Sequence, residues 1–318
     1  MKKQILPFGL FLSLTLLFAC QFDEKANPGL SSSFKAKYVV IVSVDGPRWK
    51  ETWGDDRHTY IPYRAKLAKQ GILFTSFKNA GFTATNPGHC AITTGNHENI
   101  DNTGQQLPNY PSIFQLYLEA SGYSYSACQI IASKDKLNVL ANCRLGSYTN
   151  KYNAEVDIGV NGQYYGYRED SITFKNSLNI FSSKHPRITL IHFKGPDIMG
   201  HQNNWSGYLD AIKETDKYLY DLWSYLQADP VYKGRTAFFV TNDHGRHDND
   251  HNDGFVSHGD GCSGCRHIEF LALGPDFAKS QITDRPYDQR DISKTIAKLL
   301  GFKMPYSQGK EIYELVGN

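Results

Sequence analysis

The chain has 318 residues, 40% of them hydrophobic, which is enough to bury the core of one large domain or of two smaller ones that share a site. Its 34 basic and 32 acidic residues give a formal net charge of +2. This balance excludes a nucleic-acid duplex as the expected partner, and the apolar content excludes a disordered chain. We therefore expect a small substrate or a compact partner.

The first residues have the pattern of an export signal. Two lysines precede an apolar run, residues 5–19, that is short for a bilayer-spanning helix, so a signal peptide is predicted over residues 1–19. The run ends in "LFAC", which resembles a bacterial lipoprotein box, with Cys20 as the lipidated residue and 20–35 as a polar tether. An ordinary signal peptide is the alternative. We expect an exported protein, periplasmic or at the cell surface, anchored to a membrane by lipid at Cys20.

Short apolar runs alternate with helical patterns along residues 36–318. The predicted strands are 37–46, 124–131, 187–195, 236–245 and 268–274, and the predicted helices are 61–70, 87–94, 112–120, 207–226 and 289–300. This alternation predicts an α/β fold with a mostly parallel central sheet flanked by helices, in one domain. Residues 144–169 fit neither pattern and are rich in tyrosine, asparagine and glycine, so we interpret them as a small inserted cap over a site.

Five cysteines follow Cys20, and export favours disulfide bonds between them. Cys128 and Cys143 would close a modest loop, and Cys262 and Cys265 form a C-x-x-C in a glycine-rich turn, but the sequence does not fix the pairing. A zinc knuckle is the alternative for Cys262 and Cys265, although no second ligand pair at the usual spacing accompanies them.

Carboxylates and imidazoles recur where the predicted strands end. In order, they are Asp45, Asp197, His201, Asp243, His244 and His258. Ligands in open α/β sheets bind beyond the carboxyl ends of the strands, so these six side chains should meet at one edge. Buried together without cations they would be costly, whereas mixed aspartate and histidine ligands suit zinc, with manganese or iron as alternatives. Six donors divide into two sites of three, which predicts two divalent metal ions, a common device for phosphoryl transfer.

Thr85 opens the stretch "TNPGHCAITTG", in which Pro87 favours the first turn of a helix. A threonine there can cap the helix. Beside metal ions, however, its hydroxyl loses its proton more readily and becomes a nucleophile. We therefore predict that Thr85 is catalytic. The polar loop "DHGRHDNDHND", which includes His247, is placed next to the metals.

The stretches "VSVDG", "TNPGHCAITTG", "DIMGH", "NDHG" and "SHG" stand in an order and spacing that resemble the alkaline phosphatase superfamily, particularly its phosphodiesterase/nucleotide pyrophosphatase branch. The resemblance implies an alkaline-phosphatase-like fold with Thr85 as nucleophile. It implies two zinc sites, the first formed by Asp45, Asp243 and His244 and the second by Asp197, His201 and His258.

The resemblance also implies residues that bind the substrate. "ASKDK", with Lys134 and Lys136, resembles a phosphate-binding stretch in which an arginine is expected at Lys136, and Asn102 corresponds to a phosphate-binding asparagine of the diesterase branch. The chain lacks the C-x-P-x-R pattern of formylglycine sulfatases and the inserted domain of cofactor-independent phosphoglycerate mutases.

The sequence thus predicts a metal-dependent phosphodiesterase or phosphomonoesterase that acts on a small phosphorylated substrate through a covalent phosphothreonine. One alternative is a phosphotransferase of the same superfamily. Another is a surface lipoprotein that binds a ligand without catalysis.

Overall fold

The computed structural model describes residues 30–317. The predicted signal peptide, Cys20 and most of the tether therefore lie outside the described residues. Within residues 30–317, no helix combines the length and apolar character needed to cross a bilayer.

Within this range the chain forms ten strands and nine α-helices. The strands β1 to β10 span Tyr38–Val44, Gly71–Phe74, Phe77–Lys78, Cys128–Ala132, Glu155–Ile158, Ile188–Phe193, Thr236–Thr241, Phe270–Leu273, Gln281–Thr283 and Tyr287–Asp288. The helices α1 to α9 span Pro62–Ala68, Thr85–Thr94, Ile113–Ser121, Asp170–Lys184, Gly195–His201, Trp205–Ala228, Ser263–Arg266, Gln289–Leu300 and Tyr313–Val316.

Eight strands form one sheet in the order β5-β4-β6-β1-β7-β8-β2-β9. All neighbours in it are parallel except β8, which runs antiparallel to both β7 and β2. The remaining strands, β3 and β10, form a separate parallel pair. The expected mostly parallel sheet is confirmed, with β8 as its reversed member.

Helices cover both faces of this sheet. Every residue of β1 is buried, and its side chains alternate between two hydrophobic clusters, with Val39 in one and Val40 in the other. The first cluster includes apolar residues of α2, α3 and α8, and the second includes those of α1, α4 and α6. A strand that is buried on both faces reads as a continuous apolar run, which is why the sequence of β1 lacks a polar alternation.

The five predicted strands correspond to β1, β4, β6, β7 and β8, and the five predicted helices to α1, α2, α3, α6 and α8. Part of the segment 144–169 is the edge strand β5, which pairs with β4 and so belongs to the sheet. The tyrosines at positions 164, 165 and 167 of the same segment are exposed. A cap over the site therefore stays a prediction for the rest of this segment.

The five cysteines of the described region are all free thiols, so none of the disulfide pairings considered above is formed.

Candidate metal centre and active site

The predicted site residues meet at the carboxyl end of four adjacent strands. Asp45 directly follows β1, and Asp243 and His244 follow β7 after one residue. Asp197 and His201 lie on α5, which begins two residues after β6, and Lys134 follows β4. Since β4, β6, β1 and β7 are neighbours in the sheet, residues from distant parts of the sequence converge at one edge.

The first group of donor atoms lies around His244. Its Nε2 is 3.4 Å from Oδ1 of Asp45 and 3.4 Å from Oδ2 of Asp243. All three side chains are fully buried, and their ligand atoms are close enough together to hold one metal ion.

The second group lies around Oδ1 of Asp197. Nε2 of His201 is 3.2 Å from this oxygen, and Nε2 of His258 is 3.4 Å from it. The two imidazole nitrogens are 3.2 Å apart. The groups adjoin each other, because the rings of His244 and His258 stack with centroids 3.7 Å apart.

Backbone carbonyls orient two of the histidines. Nδ1 of His244 lies 2.8 Å from the carbonyl oxygen of Gly245, and Nδ1 of His258 lies 2.8 Å from that of Thr83. When Nδ1 donates its proton to a carbonyl, the lone pair of the imidazole is on Nε2, the atom that faces the carboxylates. This is the orientation that metal-binding histidines usually have.

The donor atoms fit divalent cations. Oδ1 of Asp45, Oδ2 of Asp243 and Nε2 of His244 are buried without a hydrogen-bond partner. Tetrahedral zinc with bonds of about 2.0–2.1 Å requires ligand atoms that are about 3.3 Å apart. The five separations given above lie between 3.2 and 3.4 Å and match that spacing. Three carboxylates and three imidazoles are also ligand types that zinc accepts.

Thr85 is the first residue of α2 and its side chain is buried. The N-cap of the helix is Ala84, and no side chain caps it, so the hydroxyl of Thr85 is not used for capping. Instead, Nζ of Lys134 donates to this hydroxyl over 3.3 Å. The close approach of α2 to the end of β7 needs Gly88, because a Cβ there would lie 2.4 Å from the carbonyl oxygen of Asp243.

Lys134 connects Thr85 to both donor groups. Its Nζ is 2.7 Å from Oδ2 of Asp45 and 2.6 Å from Oδ2 of Asp197. Burial favours the neutral amine, but the attraction of Asp197 and Asp45 outweighs it and raises the pKa of Lys134. A permanently charged ammonium group therefore lies between the two donor groups and beside the threonine.

The other two predicted substrate-binding residues lie close by. Lys136 is buried, and this burial, together with repulsion from Lys134, lowers its pKa to about 8. Asn102 is exposed, and its Oδ1 accepts a hydrogen bond of 3.0 Å from the backbone amide of Asn86, the residue after Thr85.

The carboxylates differ in charge state. Burial and repulsion from Asp197 favour protonation of Asp45, but Lys134 and a hydrogen bond with His192 hold its pKa well below the usual value. Asp243 is the opposite case, because burial and repulsion from Asp45 raise its pKa well above the usual value. One carboxylate thus lacks a sufficient cationic partner among the side chains.

Two residues that contact the donor groups were missed by sequence reasoning. His192 lies within β6, and its Nε2 is 2.8 Å from Oδ2 of Asp45. The Arg246 guanidinium is fully buried and donates to Oδ1 of Asp197 over 2.5 Å. His192 could have been singled out in the sequence, because a histidine interrupts a continuous apolar run there. Arg246 could not, because it stands in a loop with many other polar residues.

Comparisons with known proteins identify the family of the chain and the proteins that share its fold. The family model described as Sulfatase matches residues 37–302. A curated relative, GPI ethanolamine phosphate transferase 1 of Mus musculus, is 23% identical over 93% of this chain and 35% of its own length. The chain therefore spans about a third of that relative.

Solved structures show the same fold. A protein in the alkaline phosphatase superfamily from Vibrio parahaemolyticus has a TM-score of 0.63 and 16% identity, covering 91% of this chain and 74% of its own. Murine ectonucleotide pyrophosphatase/phosphodiesterase 5 has a TM-score of 0.61 and 15% identity, covering 86% of this chain and 97% of its own.

The family match and the fold define a member of the alkaline phosphatase superfamily, whose members include metal-dependent phosphoester hydrolases and transferases. The chain belongs to the Sulfatase family. The chain nevertheless lacks the C-x-P-x-R pattern that formylglycine sulfatases need, since residues 83–89, around Thr85, read "TATNPGH".

Proposed function

We propose that the protein is a phosphoric ester hydrolase that uses two divalent cations and forms a covalent phosphothreonine at Thr85. Zinc is the cation that we propose for both sites. Asp45, Asp243 and His244 would hold one cation. Asp197, His201 and His258 would hold the other. The observation that carries the proposal is the convergence of these six donors at one sheet edge, where His244 adjoins both groups and His201 lies against Asp197 and His258. Lys134 joins the hydroxyl of Thr85 to them.

When bound, the cations act as Lewis acids that stabilise negative charge on the reacting oxygens. The chain's own residues do the rest. The hydroxyl oxygen of Thr85 attacks phosphorus and its proton passes to solvent, while the bond from phosphorus to the leaving oxygen breaks and that oxygen takes up a proton from solvent. Water then attacks the phosphothreonine, which regenerates the hydroxyl and releases phosphate or a phosphomonoester. Lys134 donates hydrogen bonds to Thr85 and neutralises charge on the phosphoryl group.

The ester class follows from the surroundings of Lys134. Lys134 lies beside the threonine, and Lys136 is close enough to Lys134 to be repelled by it, so both favour an anionic phosphate, as expected for a small phosphorylated substrate. The ring of Tyr167 lies 5.8 Å from Nζ of Lys134 and is 41% exposed, so an aromatic face borders the site. We infer a phosphodiester with an aromatic or nucleobase group, since such a group can stack on this tyrosine. Rates with an aryl phosphate and with a bis-aryl phosphate test the choice, and a preference for the monoester would contradict it.

Replacement of Thr85 by alanine tests the nucleophile. We expect Thr85→Ala to retain its metal content and to lose turnover by about 10³-fold or more, as removal of a nucleophile typically does. Thr93→Ala is the matched control, because the buried hydroxyl of Thr93 bonds only within α2, to the carbonyl oxygens of His89 and Cys90. The control should stay within a few-fold of the wild-type rate. Unchanged turnover in Thr85→Ala would contradict the assignment.

A phosphotransferase is the second candidate, and the similarity to the mouse GPI ethanolamine phosphate transferase favours it. Transfer differs from hydrolysis only in the acceptor, since an alcohol takes the place of water at the phosphothreonine. Product analysis in the presence of a simple alcohol separates the two. Free phosphate or phosphomonoester supports hydrolysis, whereas an alkylated phosphate as main product supports transfer.

We also propose, from the sequence pattern alone, that the protein is exported and held to a membrane through lipid on Cys20. Incorporation of labelled fatty acid by the wild type, and its loss in Cys20→Ala, would support this anchor. An unlabelled wild type would contradict it.

A further inference from the structure

A second set of metal-ligand side chains lies in the connection between β7 and β8. It consists of His247, Asp260, Cys262 and Cys265, each of which presents one ligand atom within 4.8 Å of the others. None of these residues belongs to the two donor groups at the sheet edge. We call this set the Cys-His cluster.

The ligand types are those of a structural zinc site. Cys262 and Cys265 have the two-residue spacing of a zinc knuckle. The sequence has no second pair of ligands at the usual distance from the two cysteines. In the folded chain, His247 and Asp260, which both precede the cysteines, provide that pair. Two sulfurs, one nitrogen and one oxygen make four ligands, the number that closes a tetrahedral site.

The imidazole of His247 faces this cluster with a buried nitrogen that has no hydrogen-bond partner. The residue is 3% exposed, and its Nδ1 lies 2.9 Å from Oδ1 of Asp253. Nε2 is 3.3 Å from Oδ1 of Asp260 and makes no hydrogen bond. A carboxylate that accepts from one ring nitrogen while the other is directed at a ligand cluster is the arrangement typical of zinc-bound histidine.

The other ligands are also held from outside. Oδ2 of Asp260 accepts hydrogen bonds of 2.6 Å from His251 and 3.0 Å from Asn252, so Oδ1 is the oxygen directed at the cluster. Sγ of Cys265 is 3.8 Å from this Oδ1. The backbone amide of Cys265 donates to Sγ of Cys262 over 3.4 Å.

We propose that His247, Asp260, Cys262 and Cys265 bind a zinc ion that is separate from the catalytic cations and serves a structural role. Four protein ligands leave no open position for a reacting group. A disulfide between the two cysteines, which an oxidising compartment would favour, is the competing state.

The position of the cluster explains what the ion would stabilise. The connection between β7 and β8 also carries Arg246, which bonds Asp197, and His258, which lies in the second donor group. His247 directly follows Arg246, and Asp260 follows His258 after one residue. Gly264 lets the knuckle pack directly on Arg246, since a Cβ there would lie 2.5 Å from its carbonyl oxygen. A zinc ion would join the two ends of this loop and hold both residues toward Asp197.

Cobalt substitution of the full chain under reducing conditions tests the proposal. A cobalt ion bound by thiolate gives a sulfur-to-cobalt charge-transfer band in the near ultraviolet, and we expect this band at one ion per chain. Cys262→Ser and Cys265→Ser should lose it. Cys143→Ser is the matched control, because Cys143 is a buried free thiol outside the cluster, and it should keep the band.

Two further measurements complete the test. Asp253→Asn retains all four ligands but removes the charge that orients His247, and should weaken cobalt affinity by about 10- to 100-fold. Zinc analysis of the native protein should give one ion that is lost together with the cobalt band in the cysteine variants. Absence of the band in the wild type would overturn the proposal, as would a Cys262–Cys265 disulfide in protein from its native compartment.

The result is independent of the proposed catalytic function. The two donor groups at the sheet edge contain no sulfur, so they contribute nothing to the charge-transfer band. A protein without phosphoesterase activity could show the band, and an active one could lack it.

Discussion

The hydroxyl of Thr85 does not cap the helix in which it stands. The residue stands where threonine often caps a helix, yet α2 is preceded by Ala84 and has no side-chain cap. The hydroxyl is buried beside an ammonium group rather than bonded to a backbone amide of its own helix. Two interpretations of this threonine, a helix cap and a nucleophile, are open from the sequence, and the geometry favours its availability for chemistry.

At the same scale, the sequence predicted ligands but not the residues that support them. Asp45, Asp243 and His244 were predictable because they stand at the ends of strong apolar runs. His192 contacts Asp45, and Arg246 contacts Asp197, only through tertiary packing. No periodicity marks such partners, so folding is needed to reveal them.

Lys136 leads to a pH-dependent prediction. Its pKa is lowered to about 8, so the side chain is charged below this pH and neutral above it. If Lys136 binds substrate phosphate, KM should rise as the pH increases through 8. In Lys136→Arg the charge persists, because a guanidinium has a pKa above about 12. Steady-state kinetics between pH 6 and about 10 check this, and equal profiles for KM in the two proteins would contradict it.

At the scale of elements, a buried ion cluster joins α1, α6 and β8. Arg64 of α1 is fully buried, with Nε 3.0 Å from Oδ1 of Asp216 on α6. Its Nη1 pairs with Glu269, the residue before β8. Removal of the arginine would leave two buried carboxylates without their partner.

We therefore expect Arg64→Ala to lower the free energy of unfolding by about 3–5 kcal/mol, the usual cost of breaking a buried pair. Lys217→Ala is the control, because Lys217 pairs with Asp221 at the surface of α6 and should change stability by less than about 1 kcal/mol. Chemical denaturation of both variants gives the comparison. Equal, small losses would show that the cluster is not a stabilising contact.

The limits of prediction at this scale follow from length, exposure and polarity. Helix α4 has 15 residues but was not predicted, because three of its buried side chains, Asp170, Thr173 and Ser177, are polar and interrupt its apolar face. The five predicted strands and five predicted helices are those with long apolar patterns. The edge strands β5 and β9 have three or four residues and are partly exposed, so their sequences lack a buried period. Helix α5 was missed because its seven residues include two site residues and two glycines instead of an apolar face.

At the scale of the whole molecule, the sheet edge is a concentration of buried charge. Asp45, Asp197 and Asp243 are all buried, with the cations of Lys134 and Arg246 against them. If the proposed cations bind at this edge, the fold should depend on them for stability, because ions that bind only the folded state shift the unfolding equilibrium.

A chelator is therefore expected to lower the melting temperature, and zinc to restore it. Each site contributes about 4 kcal/mol at a free-ion concentration a thousandfold above Kd. Calorimetry of the wild type and of Cys262→Ser measures this, because the variant leaves the sheet-edge sites alone to respond. Thr85→Ala should respond like the wild type, since it retains every proposed ligand. A melting temperature that does not change with chelator in the cysteine variant would contradict the two-cation site.

The stereochemistry of the reaction at phosphorus tests the central claim most directly. A chiral phosphorothioate diester is converted in the presence of isotopically labelled water, and the configuration of the product is determined. Two in-line displacements, first by Thr85 and then by water, each invert phosphorus and so predict net retention. Net inversion would mean that water attacks the substrate directly, and would contradict a covalent phosphothreonine.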